Sequence, residues 1–260
     1  MAAISIVTIC FNNLEELLAS CASIDCQQQL PAEHIIVDGS TNLAIHNYLK
    51  EHTQPSYRKW KTERDEGIAD AFNKGIQQAT APITLLLNSG DMLYDATVLQ
   101  RVATTFDQDP QLKWIHGQLH LLRGGLWVTV GKPFDVAKLY RGMRGTFHPT
   151  MFVKKELYHK YGLFKKEFKM AMDYDFLCRI ANEKNTFLAY PLARFDPSGI
   201  SSTQYLKAMK ESFAAYRSYY GSSWKQTLWG WRLTILHYLL QSPFGKSLYQ
   251  LKVALGLANK

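Results

Sequence analysis

A chain of 260 residues with 47% hydrophobic content is able to bury a sizeable core, which excludes an intrinsically disordered protein. Its four cysteines, Cys10, Cys21, Cys26 and Cys178, form no CxxC pair and have no histidines at zinc-finger spacing; a disulfide scaffold and a zinc module are excluded, and reduced thiols in a cytosolic compartment are expected. The net charge of +8 is uneven, because residues 205–260 carry eight Lys or Arg against Glu211 alone, so one local surface is set to meet an anionic partner.

The first eleven residues are apolar but lack a basic leader and a small-residue cleavage site, so they are expected to form a strand, Ile4–Phe11. No run of about 18 apolar residues follows that would span a bilayer. Leu14, Leu17, Leu18, Cys21 and Ile24 recur at helical spacing, which predicts a helix over Leu14–Ile24, followed by a buried strand at His34–Asp38. A helix at Leu43–His52, a strand at Tyr57–Thr62, a helix at Ile68–Ala79 and a strand at Ile83–Asn88 continue the alternation, and Asp95 is placed to cap a helix over Asp95–Phe106. Strands alternating with helices predict an α/β fold with a mainly parallel central sheet covered on both faces.

The pattern changes after Pro110. Lys113–Leu122 and Leu126–Val130, joined by Arg123-Gly124-Gly125, read as a hairpin. A strand at Thr150–Val153, a short helix near Lys155–Tyr161, a helix at Tyr174–Lys184 and a strand at Thr186–Tyr190 follow. From Tyr205 the chain becomes helical, aromatic and basic. The expected organisation is a domain over 1–204, with halves at 1–110 and 111–204, and an extension over 205–260.

In open α/β sheets ligands sit beyond the C-terminal ends of the strands, where Phe11-Asn12, Asp38, Thr62–Asp65 and Asn88–Asp91 fall. Asp38 is suited to accept hydrogen bonds from a base or ribose, or simply to close its strand as an Asx turn. On the Ile68–Ala79 helix, Ala69, Phe72, Ile76 and Ala79 make an apolar stripe; Asp70, Asn73 and Lys74 share another face, either as a solvated surface or as part of a site beside Gly67. Asp91 follows an apolar strand and is able to ligate Mg2+ or Mn2+ with phosphate oxygens and waters, or to be a turn residue. Asp173 begins a helix, as an N-cap or as a general base, and His148 before Pro149 is a substrate contact or a core histidine. Neither GxGxxG nor GxxxxGK[ST] is present, which disfavours dinucleotide oxidoreductases and P-loop NTPases, and Phe11-Asn12-Asn13 offers no phosphate loop for a sugar nucleotidyltransferase.

Seven motifs in order, Ser5-Ile6-Val7-Thr8-Ile9-Cys10-Phe11-Asn12, Ile35-Ile36-Val37-Asp38-Gly39-Ser40-Thr41, Asp65 through Ile76, Leu87-Asn88-Ser89-Gly90-Asp91, His148-Pro149, Asp173-Tyr174-Asp175 and Gly199-Ile200-Ser201, resemble the family 2 glycosyltransferases of GT-A fold, of the bacterial exopolysaccharide and O-antigen (colanic-acid-like) type. The resemblance covers Ile4 to about Ser202. It implies a Rossmann-like GT-A domain in which Thr8, Phe11 and Asp38 hold the nucleoside; Asp65, Gly67, Asp70, Asn73, Lys74, Ser89 and Gly90 flank the sugar-diphosphate; and Asp91 binds Mn2+ or Mg2+. It further implies Asp173 as catalytic base of an inverting displacement, with His148 and Asp175 near acceptor or diphosphate. Ser89-Gly90-Asp91 stands where many relatives carry paired acids, Ala69 where they often carry Tyr, and no second acid follows Asp38.

The resemblance also implies a nucleotide-sugar donor, UDP-linked by default, and a glycan or lipid-linked oligosaccharide acceptor, with no nucleic acid expected. Trp224, Leu228, Trp231, Ile235, Tyr238 and Leu239 make a broad apolar face with Lys225 and Arg232 beside it, so residues 222–260 are expected either to rest on an anionic membrane surface or to pack on the domain as a helical pair. A cytoplasmic enzyme, peripheral on the inner membrane, is the corresponding location. The rival is a non-enzymatic membrane- or nucleic-acid-binding module on a degenerate scaffold of this kind.

Overall fold

Buried strands alternate with amphipathic helices through the N-terminal half. The computed structural model describes residues 1–123, 126–195 and 204–242, so the Gly199-Ile200-Ser201 motif and the basic residues beyond 242 lie outside the described residues. Strands β1 (Ile4–Cys10) and β2 (Glu33–Asp38) are buried along their whole length, which their near-continuous apolar runs require of central parallel strands. β3 (Arg58–Thr62) has the charged sequence of an edge and is mostly exposed. With β4 (Ile83–Asn88) these form the parallel order β3-β2-β1-β4.

The sheet continues across the change of pattern at Pro110. β8 (Phe152–Lys154) pairs antiparallel with β4, and β6 (Trp114–Arg123), β9 (Asn185–Phe195) and β5 (Met92–Leu93) extend the same sheet, with β7 (Leu126–Val130) paired to β6 as the expected hairpin. The halves at 1–110 and 111–204 therefore share one sheet. Helices α1 (Leu14–Asp25), α2 (Ala44–Glu51) and α4 (Val98–Gln108) cover one face; α3 (Ile68–Gln78), α5 (Lys155–Tyr161) and α6 (Met172–Ile180) cover the other. Gly75 lets α3 lie close on β1, since a Cβ there would come 2.1 Å from Val7 Cγ1, and this contact sets the start of α3 over the strand ends.

Three boundaries differ from expectation. Asp95 does not begin α4; its Oδ1 accepts from Thr97 N and Thr97 Oγ1, both at 2.8 Å, in an Asx turn that precedes the helix. β9 runs past Tyr190 to Phe195 because Ala193 and Arg194 pair with β5, a two-residue strand too short to carry a sequence pattern. α6 starts at Met172, so Asp173 lies inside its first turn, and it ends at Ile180, where the chain turns toward β9.

Two further helices, α7 (Tyr205–Tyr220) and α8 (Trp224–Gln241), follow. α7 buries Ala215 in the same core as α6 and makes polar contacts to it. α8 packs against the 3-10 turn Val136–Arg141 and α7, but leaves Trp224 71% and Trp231 67% exposed. Among the described residues no helix is long and apolar enough to cross a membrane.

Candidate active site

Parallel register brings the strand ends level. Ile9 lies opposite Val37 on one side and Asn88 on the other, and Cys10 opposite Asp38, so Asp38 and Asn88 flank the end of β1 roughly 10 Å apart at the usual strand spacing. Side chains lock these tips together. Asp38 accepts from Ser40 N (3.0 Å) through Oδ1 and from Thr62 Oγ1 (3.1 Å) through Oδ2; Asn12 Nδ2 donates to Thr41 Oγ1 (2.9 Å), and Asn13 Nδ2 to Ser89 Oγ (2.5 Å). Asp65 accepts from Gly67 N at 2.8 Å and hangs directly over Gly39, where any Cβ would sit 1.9 Å from Asp65 Oδ2. Gly67 and Gly90 have φ of +117° and +96°, which glycine adopts without strain. Gly90 N donates to Glu16 O (3.1 Å) and Ser20 Oγ (2.9 Å), fixing the Ser89-Gly90 turn to α1.

Phe11 stands 58% exposed at the top of β1. Thr8, expected at the nucleoside, does not reach it: the side chain is fully buried in mid-strand, with Oγ1 2.9 Å from His34 Nε2. Its neighbour at the tip is Cys10, whose Sγ lies 3.8 Å from Asp38 Oδ1.

Asp91 is 3% exposed; its Oδ2 accepts from Asn88 N (2.9 Å) and Asn88 Nδ2 (3.2 Å), while Oδ1 has no hydrogen-bond donor among the described residues. Burial pushes its carboxyl up to about 7, against the lowering effect of the Asn88 donors. A nearby cation would reverse that shift. Among the described residues no group of three His, Cys, Asp or Glu is able to hold a metal, so a divalent ion at Asp91 Oδ1 would need diphosphate and water oxygens to complete its shell.

The polar face of α3 is tied to the segment between α5 and α6. Asp70 Oδ1 pairs with Lys166 at 2.6 Å and Oδ2 with Lys74 at 3.3 Å; the Lys166 hydrogen bond leads the effects that bring its carboxyl down to about 2. Asn73 is committed elsewhere than expected: its amide exchanges two 2.9 Å hydrogen bonds with the Phe164 backbone, which satisfies it and pins that segment beside the cavity. Lys74 Nζ donates to Arg64 O at 2.6 Å.

That cavity holds Asp173. Leu86, His148, Met151, Tyr158, Phe164 and Phe176 are among its walls, and Asp173 is the acid that lines it. The carboxylate is half-buried, accepts Tyr174 N at 2.7 Å, and is raised by burial to about 6. His148 lies tilted against Phe72 (5.0 Å between ring centroids), and its Nε2 is buried with no partner. Burial lowers its pKa to about 4, so the imidazole is neutral at pH 7 and has a hydrogen bond rather than a charge to offer.

Asp175 is not in this cavity. Two residues on along a helix is about 200° around it, and Asp175 is fully buried on the far side, with Oδ2 held by Arg179 Nη2 (2.9 Å) and Nε (3.1 Å) and Oδ1 by Tyr219 OH (2.7 Å). It anchors α6 to α7 and has no lone pair turned to a ligand. Glu211 on α7 escaped the sequence reading: its Oε2 accepts from Met170 N (2.7 Å) and Ala171 N (3.2 Å), capping the helix that carries Asp173. Its one sequence signal was being the single acid among eight basic residues.

Residues 5–118 match the model of glycosyl transferase family 2. The chain is 29% identical over 204 residues to an uncharacterized glycosyltransferase of Mycobacterium tuberculosis, covering 76% of this chain and 77% of that protein. It is 28% identical over 118 residues to a PGL/p-HBAD biosynthesis glycosyltransferase of Mycobacterium bovis, covering 45% of this chain and 44% of the other. Among solved structures it superposes on S. aureus TarS 1-349 in complex with UDP-GlcNAc with a TM-score of 0.66 at 16% identity, over 88% of this chain and 70% of that one. It spans 44% of the longer S. aureus TarS chain, at 15% identity, a TM-score of 0.64 and 93% of its own length. With the mannosyltransferase PcManGT from Pyrobaculum calidifontis in complex with GDP-Man and Mn2+ the TM-score is 0.59 at 16% identity, over 98% of this chain and 80% of the other. The match to the family model is thus confined to residues 5–118, and the fold of the chain resembles that of these solved glycosyltransferase structures.

Proposed function

We propose that the chain is an inverting glycosyltransferase that moves a hexosyl group from a nucleotide sugar, UDP-linked as first choice, to a hydroxyl of a glycan or lipid-linked oligosaccharide in surface-polysaccharide biosynthesis. The observation that carries this reading is Asp173: a carboxylate raised to about 6 that lines a cavity together with Leu86 of β4, in a fold whose parallel strands end in a tied set of tips suited to a nucleoside diphosphate. Its proton affinity lies close enough to neutral pH for a general base.

In the reaction Asp173 takes the proton of the acceptor hydroxyl as that oxygen bonds to the anomeric carbon. The bond from that carbon to the diphosphate breaks, and the nucleoside diphosphate leaves with the electron pair. Phe11 offers a stacking surface to the base, Asp38 and Asp65 hydrogen-bond acceptors to nucleoside or ribose, and Gly67, Ser89 and Gly90 a close approach for the diphosphate. Lys74 and Asp70 border the sugar with Lys166, Asn73 holds the cavity wall, and neutral His148 hydrogen-bonds a substrate hydroxyl through Nε2. A Mn2+ or Mg2+ ion held by Asp91 and the diphosphate would offset charge on the leaving group.

The apolar face of α8 and the basic residues around it support peripheral attachment to the cytoplasmic face of the inner membrane, where a lipid-linked acceptor is presented. Incubation of the purified chain with a panel of nucleotide sugars and Mn2+, with detection of the liberated diphosphate, tests the donor. Release of one nucleoside diphosphate that stops on chelation is expected; salt-sensitive RNA binding with no turnover of any donor would instead favour a non-enzymatic module.

A further inference from the structure

Trp229 of α8 lies at the centre of three guanidinium groups. The ζ carbons of Arg141, Arg144 and Arg232 are 5.1, 5.3 and 5.0 Å from its ring centroid. A ring has two faces, so at least two of the three share one, where their mutual repulsion opposes the cation–π attraction of each. No salt bridge relieves it: among the described residues the arginines paired to acids are Arg58 and Arg179, and Arg141 has only the longer-range attraction of Asp135. Arg141 donates to Tyr140 OH at 3.0 Å, and the nearby Asp135 is already held by Lys138 at 2.6 Å. Trp229 Nε1 is itself buried with no acceptor. The cluster is made of donors only, and a phosphate, with several acceptor oxygens and negative charge, is the group that two or three guanidiniums and an indole N–H complete.

The same helix indicates what carries the phosphate. Trp224, Leu228, Trp231, Ile235 and Tyr238 are all exposed and repeat at one helical face, while Gln226 and Leu233 are buried on the opposite side. At 100° per residue, Arg232 and Lys225 fall on the border between that apolar stripe and Trp229. A headgroup held at the border leaves an attached hydrocarbon chain lying along Leu228 and Ile235.

We propose that Arg141, Arg144 and Arg232, gathered around Trp229, form a binding site for the phosphate of a membrane lipid whose apolar chain lies along α8. This deepens the membrane-facing reading above and rests on it, while its test needs no turnover. The headgroup of an anionic phospholipid and the diphosphate of a lipid-linked acceptor present the same chemistry to the site.

Co-sedimentation of the full chain with phosphatidylcholine vesicles, plain or containing either phosphatidylglycerol or a polyprenyl diphosphate, separates the sources. Binding to at least one anionic vesicle is expected, with about a fivefold loss for each of Arg141→Gln, Arg144→Gln and Arg232→Gln, the equivalent of about 1 kcal/mol per basic residue at an anionic surface. Equal binding to both anionic vesicles identifies bulk headgroups as the ligand, and preference for polyprenyl diphosphate identifies the acceptor. Lys207→Gln, a basic residue outside the cluster, is expected to bind nearly as wild type; a loss equal to that of the arginine variants would mean diffuse attraction and overturn the site. Unchanged binding of the triple arginine variant, or arginine-dependent RNA binding without vesicle binding, would each overturn it as well. Near-ultraviolet circular dichroism of the triple variant confirms that its fold is intact. Vesicle binding that persists in a wild-type chain with no donor turnover would sink the transferase reading and leave this site standing.

Discussion

The acids at the strand tips and the acid at the start of α6 are held in opposite ways. Asp38, Asp65 and Asp91 each accept hydrogen bonds that close a turn or join two loops, whereas Asp173 accepts from the next residue's N–H and turns into a cavity walled largely by apolar side chains. Donors hold the first group as a rigid frame; burial raises Asp173 to about 6, and within the frame it raises Asp91 as well, to about 7, but Asp173 is the one that faces a cavity. A locked frame suits binding; a poised carboxylate suits proton transfer.

The largest expected effect strikes the poised side. Asp173→Asn should lower kcat by about a hundred- to ten-thousandfold, the usual worth of a general base, while donor affinity measured by calorimetry stays within about twofold, because no strand-tip bond is touched. Retained turnover in this variant would remove Asp173 from the reaction and break the comparison. Next in size is Asp175→Ala. It strips the carboxylate from a buried Arg179 and removes the acceptor of the Tyr219 OH, which should destabilise the fold by about 3 kcal/mol in denaturant melts. The Tyr161, Gly162 and Leu163 carbonyls that still accept from Arg179 keep the loss from being larger.

The pH dependence sharpens the same contrast. Asp173 must be ionised to take a proton, so kcat should fall about tenfold per pH unit below about 6, whatever the donor. The stability effect has the opposite sign. A carboxyl whose folded pKa lies above its unfolded value favours the protonated fold, so this group's contribution rises as pH falls from about 6 toward 4. A rate profile flat down to pH 4 would contradict the assignment of the base.

Much of the frame was legible because it is local. The apolar stripe of α3, the parallel run of strands and the Asx turn at Asp38 depend on neighbours within a few residues. Thr8 was misplaced although the information was present, since a residue in mid-strand between Val7 and Ile9 is buried before the tip is reached. Asp173 and Asp175 were not separable by sequence: both are acids in the first turn of one helix, and what divides them is Tyr219, 44 residues further on. β5 was illegible for want of length, and the commitment of Asn73 to Phe164, 91 residues away, for want of any local signature.

Glu211 offers the smallest and most discriminating test, because it joins the two ways of holding an acid: a locked carboxylate on α7 that positions a poised one on α6. It accepts from the two N–H groups ahead of the helix, so Glu211→Ala should cost about 1–2 kcal/mol of stability, the usual range for a lost cap. It should also lower kcat a few-fold with donor KM unchanged, since the start of α6 would fray where Asp173 sits. Glu211→Gln keeps an acceptor oxygen and should recover most of both. If the alanine variant loses stability but not kcat, the extension is only a brace; if the glutamine variant fails to recover kcat, it is the charge of Glu211, and not its hydrogen bonds, that acts on Asp173.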